Sequence, residues 1–200
     1  MRSQFLSRGL SVASVAAWAL TVGAGFWMLV RYSNTPGEAA APPLNWPGES
    51  SIRRVKNRST LLLFAHPQCP CSEATVGELA HIVTDAPGKL EVYVLFYAPE
   101  QQSHEWVRGP LWQNTVLIPG AHAIEDRNGL EVRRFRAATS GQALLYDTTG
   151  HLRFNGGITA FRGHSGDNDG RDAIVSLAMY GSAIRATTPV FGCSLLGGSR

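Results

Sequence analysis

The feature that most constrains the fold is a short, nearly continuous apolar run, Thr60 to Ala65, followed by His66-Pro67-Gln68-Cys69-Pro70-Cys71-Ser72 and a stretch with apolar residues at helical spacing. An unbroken apolar run of this length reads as a central strand covered on both faces. In the following stretch Ala74, Val76, Leu79, Ala80, Ile82 and Val83 line one side of a helix that Pro87-Gly88 stops. Leu90 to Tyr97 is a second strand. The unit is β-α-β, and a right-handed crossover makes the two strands parallel, with the cysteine loop at the carboxyl end of the first.

A thiol at the mouth of a helix is chemically useful, because unpaired N–H groups of the first turn and the positive end of the helix dipole favour thiolate over thiol. Cys69 is therefore the candidate reactive atom. Pro70 lies between it and Cys71, Ser72 follows, and His66 stands before them as a potential proton donor or a ligand of the loop backbone.

From Gly9 to Val30 no charged residue occurs. These roughly 22 residues are long enough, as a helix, to cross a hydrocarbon core of about 30 Å. Arg2 and Arg8 precede the segment and only Arg31 follows closely, so the positive-inside bias keeps residues 1–8 in the cytoplasm and exports the rest. A cleaved signal peptide is the competing reading; Ala39-Ala40-Ala41 is a small-residue stretch, but the apolar core is long for a signal and no A-x-A site adjoins it. The expected organisation is a tail (1–8), a transmembrane helix (9–30), an extended Pro- and Ala-rich linker (31–49) and one folded domain (50–200). The excess of basic charge is small and forms no stripe, which argues against nucleic acid as a partner.

Farther along, Gln101 to Leu117 reads as polar and aromatic with a short helix, Ala121 to Glu125 as a strand, and Leu130 to Ala137 as a short helix. Ala143 to Tyr146 and His151 to Phe154 flank an Asp147-Thr148-Thr149-Gly150 turn as a β-hairpin, and a last helix runs from about Gly170 to Tyr180. The main order is β-α-β-α-β-β-α. Gly163 to Gly170 lacks the spacing and closing glutamate of a calcium loop and reads as the turn and cap before the last helix.

This order, with a cysteine motif between the first strand and helix and a hairpin before the final helix, resembles the thioredoxin fold and its membrane-tethered redoxin members. Three motifs are closest to bacterial RedB-type proteins: His66 to Cys71, Ala138 to Gly141, and Thr188 to Cys193 in a Thr-Pro-x-x-Gly-Cys tail. The resemblance implies an α/β, thioredoxin-like domain with a mixed central sheet flanked by helices, placed in the periplasm by a single-pass anchor in the bacterial inner membrane. It puts Cys69 at the position of the attacking thiol. Ser72 stands where the usual Cys-x-x-Cys has its second cysteine, and Cys71 comes one residue early. A Cys69–Cys71 disulfide would close a small strained ring, and strained disulfides are more oxidising. Thr139-Ser140-Gly141 replaces the cis-proline that usually faces the thiols.

The implied activity is thiol-disulfide exchange with Cys69 attacking and either Cys71 or Cys193 resolving, on cysteine-containing exported proteins, fed by a thiol electron donor and needing no cofactor. Two other classes stay open: a copper(I) carrier holding the metal through His66, Cys69 and Cys71, and a redox-silent fold kept for protein interaction.

Overall fold

The computed structural model describes residues 2–196, with side chains from residue 11 onward; Met1 and residues 197–200, the ends of the expected tail and domain, lie outside the described residues. The chain divides into two compact units, Met1–Thr35 and Pro36–Arg200.

The first unit is one helix, α1 (Arg2–Ser33). The segment expected as a tail at 2–8 is helical and continuous with it. Its portion Ser11–Ser33 has mean hydropathy 1.7 and is long and apolar enough to span a membrane. Trp18, Leu20, Phe26, Trp27 and Leu29 are all exposed, so the helix presents large apolar side chains at its surface. Asn34 and Thr35 close its end by donating side-chain hydrogen bonds to the Val30 and Arg31 carbonyls.

In the second unit the apolar run forms β1 (Ser59–Ala65), followed by α2 (Cys71–Asp85), β2 (Leu90–Ala98), α3 (His104–Val107), α4 (Pro110–Val116), β3 (Ala121–Arg127), α5 (Leu130–Arg134), β4 (Gln142–Tyr146), β5 (Leu152–Gly157) and α6 (Asp169–Tyr180). The strand expected from Ala121 is present and runs to Arg127, and the short helix expected from Leu130 follows it and ends at Arg134; the compressed order β-α-β-α-β-β-α left this helix out, and the Gln101–Leu117 stretch holds two helices where one was expected. The sheet order is β3-β2-β1-β4-β5. β1 pairs in parallel with β2, and β2 with β3; β4 is antiparallel to β1, and β5 to β4.

The central place of β1 explains its composition. Leu61, Leu63 and Ala65 pack on one face with Val76, Leu79 and Ile82 of α2 and Ile174 of α6. Leu62 and Phe64 pack on the other with Phe135, Leu144, Tyr146 and Leu195. Both sides of the strand are dry, so no polar alternation survives in the sequence.

The packed unit begins at Pro36, earlier than the expected start at residue 50. The supposed linker runs along the domain. The Leu44 carbonyl accepts from Leu152 N–H at 2.8 Å, Trp46 N–H donates to the Gly150 carbonyl at 2.8 Å, and the Tyr146 hydroxyl donates to the Pro43 carbonyl at 2.8 Å. The Trp46 ring stands edge-on to Phe135 at 5.0 Å and Tyr146 at 5.2 Å. One aromatic anchor and free backbone carbonyls dock a stretch whose proline content suggested a spacer.

Beyond the hairpin, β5 continues to Gly157, past the expected end at Phe154. The chain after α6 runs beside it, bridging Thr187 to Asn155. A Cβ at Gly157 would lie 2.6 Å from the Pro189 carbonyl oxygen, so glycine is what allows this approach. The tail thereby returns across the carboxyl end of β1.

Candidate functional site

β1 ends at Ala65 and the chain turns through His66 to Pro70 before α2 starts at Cys71. Cys69 N–H donates to the His66 carbonyl at 3.0 Å, and the Cys69 carbonyl accepts from Ser72 N–H at 3.0 Å. Pro70 caps the helix with φ −60° and ψ −29°, without a side-chain hydrogen bond. A proline has no N–H to satisfy at this end, and its fixed φ suits the first turn. Cys69 thus sits immediately before the cap, where the Cys71 backbone N–H favours its ionised form. The residue is 5% exposed. It borders an open depression of about 250 Å³ whose other walls include Pro67, Glu73, Leu111 and Asn114.

Cys193 meets Cys69 from the opposite side. The two sulfurs are 3.2 Å apart, both as free thiols. A strap formed by residues 187–195 holds Cys193 there. The Thr188 hydroxyl donates to the Gly157 carbonyl at 2.7 Å, Ser140 N–H donates to the Cys193 carbonyl at 2.7 Å, and Leu195 N–H donates to the Ala138 carbonyl at 2.9 Å. Leu195 is fully buried and pins the far end of the strap. Gly192 crosses so close to the loop that a Cβ there would lie 1.8 Å from the Ser140 carbonyl oxygen.

The Thr139-Ser140-Gly141 loop faces the thiols. Among the described residues no peptide bond is cis. Ser140 carries the local connections: its hydroxyl accepts from His66 N–H at 2.8 Å and shares a 2.8 Å hydrogen bond with the Ser72 hydroxyl. Gly141, at φ +92°, turns the chain into β4 and donates its N–H to the Phe64 carbonyl at 2.7 Å. Ser72 is 1% exposed and lies under the thiols rather than at the surface.

The three cysteines differ in acidity for identifiable reasons. Burial pushes the Cys69 thiol up, but hydrogen bonds from the Cys193 thiol and backbone, the Ser72 hydroxyl and the Cys71 N–H outweigh it, and its pKa falls below the ordinary value. Burial and the neighbouring Cys69 thiolate raise Cys71, against an opposing pull from the Arg162 guanidinium. Burial, the hydrogen bond to Cys69 and its charge push Cys193 up to about 11. Of the two sulfurs in contact Cys69 is therefore the more acidic, and a thiolate is favoured there rather than at Cys193.

His66 points elsewhere. Its Nδ1 accepts from Gln68 N–H at 3.2 Å, and its ring lies between Tyr97 at 6.0 Å and Trp106 at 5.7 Å. Burial lowers its pKa, so the imidazole is held neutral. Among the described residues no group of three or more His, Cys, Asp or Glu side chains is arranged to hold a metal ion, so the His66, Cys69 and Cys71 set expected for copper is not assembled. Arg162, in the loop after β5, escaped notice in the sequence because an isolated arginine in a polar loop carries no pattern. It donates to the Gly192 carbonyl, and its positive charge works against the rise in the Cys71 pKa.

With this geometry in hand, comparison with solved structures is informative about the fold. A hypothetical protein from Sinorhizobium meliloti 1021 superposes with a TM-score of 0.60 at 21% identity, covering 83% of this chain and 96% of that one. An uncharacterized conserved protein from Geobacillus kaustophilus gives a TM-score of 0.57 at 15% identity, over 84% and 94%. The sheet itself, ordered β3-β2-β1-β4-β5 with its first three strands parallel and β4 and β5 antiparallel and with helices packed against it, is thioredoxin-like. A weaker likeness, TM-score 0.46 at 15% identity over 69% of this chain and 98% of that one, extends to an exposed lipoprotein thioredoxin of Streptococcus pneumoniae. No protein-family model and no curated protein matches the sequence. On a thioredoxin-like sheet the β1–α2 junction is the carboxyl edge of the central strand, where open α/β sheets gather their chemistry.

Proposed function

We propose that this chain is a membrane-tethered thiol-disulfide oxidoreductase acting outside the cytoplasm, with Cys69 as the attacking thiolate and Cys193 as the resolving thiol. The observation that carries the reading is the 3.2 Å separation of the two sulfurs beside an open depression. In the reductive direction the Cys69 thiolate attacks one sulfur of a client disulfide. An S–S bond forms between Cys69 and the client, and the other client sulfur leaves as a thiolate. Cys193 then gives up its proton and attacks the Cys69 sulfur. The Cys69–Cys193 bond forms, the client's second thiolate is released, and two electrons have passed from the protein to the client. A thiol donor restores the dithiol by the reverse exchange.

Cys71 takes no part in this first cycle, since the strap already supplies a sulfur in contact. The clients are cysteine-containing exported proteins, in keeping with the RedB-type motifs, and α1 is the anchor, its basic N-terminal flank retained in the cytoplasm and the domain in the periplasm. The full-length protein with Cys193→Ser should accumulate covalent client adducts at Cys69, resolvable on non-reducing gels, and Cys69→Ser should form none. Adducts that persist in Cys69→Ser would overturn the assignment.

A further inference from the structure

The segment that follows α1 touches both elements that fix Cys193, and the exchange reaction as written gives it no part. Gly37 N–H donates to the Val190 carbonyl at 2.8 Å, on the strap just before Cys193. The Glu38 carbonyl accepts from the Thr139 hydroxyl at 3.2 Å, and the Ala40 carbonyl accepts from Asn155 Nδ2 at 3.3 Å. We propose that Gly37 and Glu38 are positioning residues of this site, a clamp that seats the resolving thiol and makes the chain leaving α1 part of the redox device.

The inference rests on the exchange reading above for its purpose, but the clamp itself is geometry. On one edge the strap follows β5: Asn155 N–H donates to the Ala186 carbonyl at 3.0 Å, and Thr188 N–H to the Asn155 carbonyl at 3.4 Å. Pro189 has no N–H with which to continue that ladder. Gly37 takes hold at the next residue, Val190. Farther on, Thr139 bridges Ser194 in antiparallel register, so the same short segment braces the strap at Val190 and the loop on which its end rests at Thr139. The fit requires a residue without a side chain. A Cβ at Gly37 would lie 2.5 Å from both Oγ1 and Cγ2 of Thr139 and 3.0 Å from its Cβ. Thr139 is buried and β-branched, with its hydroxyl engaged on Glu38, so it does not turn aside freely. The clamp is nonetheless light. Glu38 and Ala39 are exposed, and a cleft of about 260 Å³ is lined by Pro36 to Ala40 and by Thr187 to Val190. Hydrogen bonds rather than buried apolar area hold the two segments together, the pattern of a contact that opens locally while the domain stays folded. Closure of the Cys69–Cys193 bond needs the strap seated, because small displacements of the reacting sulfurs cost rate steeply. A cut within Ala39-Ala40-Ala41 would leave Gly37 and Glu38 with α1 and all three thiols on the other fragment. The uncut chain is therefore the form set for closure.

The test uses the full chain with Cys71→Ser, which leaves Cys69 and Cys193 to react, and an aromatic disulfide as the probe. Attack by Cys69 releases one aryl thiolate and leaves the other aryl sulfur bonded to Cys69. Attack by Cys193 on the Cys69 sulfur then forms the Cys69–Cys193 bond and releases the second aryl thiolate. In Gly37→Ala the first release should stay within about twofold of the reference and the second should slow about tenfold. Adding Thr139→Ala, which removes the two nearest atoms, should restore most of the second rate. A merely structural defect would slow both releases alike. An unchanged second release in Gly37→Ala, or equal slowing of both, overturns the proposal. Amide hydrogen exchange gives a readout that needs no disulfide: the Thr188 and Leu195 N–H groups should exchange about tenfold faster in Gly37→Ala, with Leu62 and Leu63 of β1 unchanged. Unchanged protection at Thr188 and Leu195 also overturns it. Client adducts that persist in Cys69→Ser would end the exchange reading, and the exchange rates at Thr188 and Leu195 would still decide the clamp.

Discussion

Cys69 and Cys193, 124 residues apart in the chain, bring their sulfurs to 3.2 Å without a bond between them. Four hydrogen-bonding groups lower the pKa of Cys69, whereas burial and the neighbouring Cys69 push Cys193 up to about 11. An attacking group and a resolving group are distinguished by environment rather than by residue type. Replacement of Cys71 by serine should therefore leave the first turnover of a model disulfide close to wild type, whereas Cys193→Ser should stop at the mixed disulfide. Quench-flow with acid trapping separates these two outcomes.

The acidity difference has a consequence for stability. The Cys193 thiol ionises at about 11 in the fold, above its ordinary value of 9.0. Its contribution is thus fully present below pH 9 and is lost as pH rises toward 11, because the unfolded chain releases the proton first. The lowered pKa of Cys69 acts with the opposite sign, and that contribution is complete above its unfolded value. Urea titrations between pH 9 and 11 should show the dithiol protein losing stability relative to the disulfide form, in which Cys193 has no proton to lose. Tyr146, also raised by burial, contributes to both forms and drops out of the difference.

Gly192 is a steric requirement for the strap. A Cβ at this position would overlap the Ser140 carbonyl. Gly192→Ala should shift Cys193 away from Cys69 and slow closure of their disulfide by about tenfold or more, since small displacements of reacting atoms cost rate steeply. Far-UV circular dichroism should remain that of the wild type, because the sheet and α2 do not depend on this crossing.

Away from the thiols, Glu78 of α2 is 1% exposed and accepts from Gly166 N–H at 2.8 Å, Asn168 Nδ2 at 3.3 Å and Arg171 at 3.0 Å. Asn168 in turn caps α6 by accepting from Arg171 N–H at 2.8 Å. This cluster clips α2, the helix that carries Cys71, to α6. Arg171→Ala would leave a buried carboxylate without its cation and should cost about 2–3 kcal/mol of unfolding free energy, measured by urea denaturation.

How much of this was readable in the sequence depends on the range of the interaction. The β1–α2–β2 unit was legible because its apolar periodicity is local, and the same holds for the hairpin, where Asp147 accepts from the N–H groups of Thr149 and His151. Cys69 was legible because the strand–turn–helix context is contained in a dozen residues. The Cys69–Cys193 contact was not, since the strap is placed by backbone hydrogen bonds to Gly157, Ser140 and Ala138, which leave no trace in residue type. The docking of residues 36–49 was hidden for the same reason, with Trp46 as its single side-chain signal. The copper(I) alternative rested on the spacing of His66 from Cys69 and Cys71, a local pattern that says nothing of where the ring turns, and the structure sets it beside Tyr97 and Trp106.

The most direct test of the central claim is peptide mapping of the air-oxidised full-length protein under non-reducing conditions, with free thiols blocked beforehand. The account predicts a single Cys69–Cys193 disulfide with Cys71 alkylated. A protein that instead yields Cys193 alkylated, with Cys69 joined to Cys71 or left free, would contradict it.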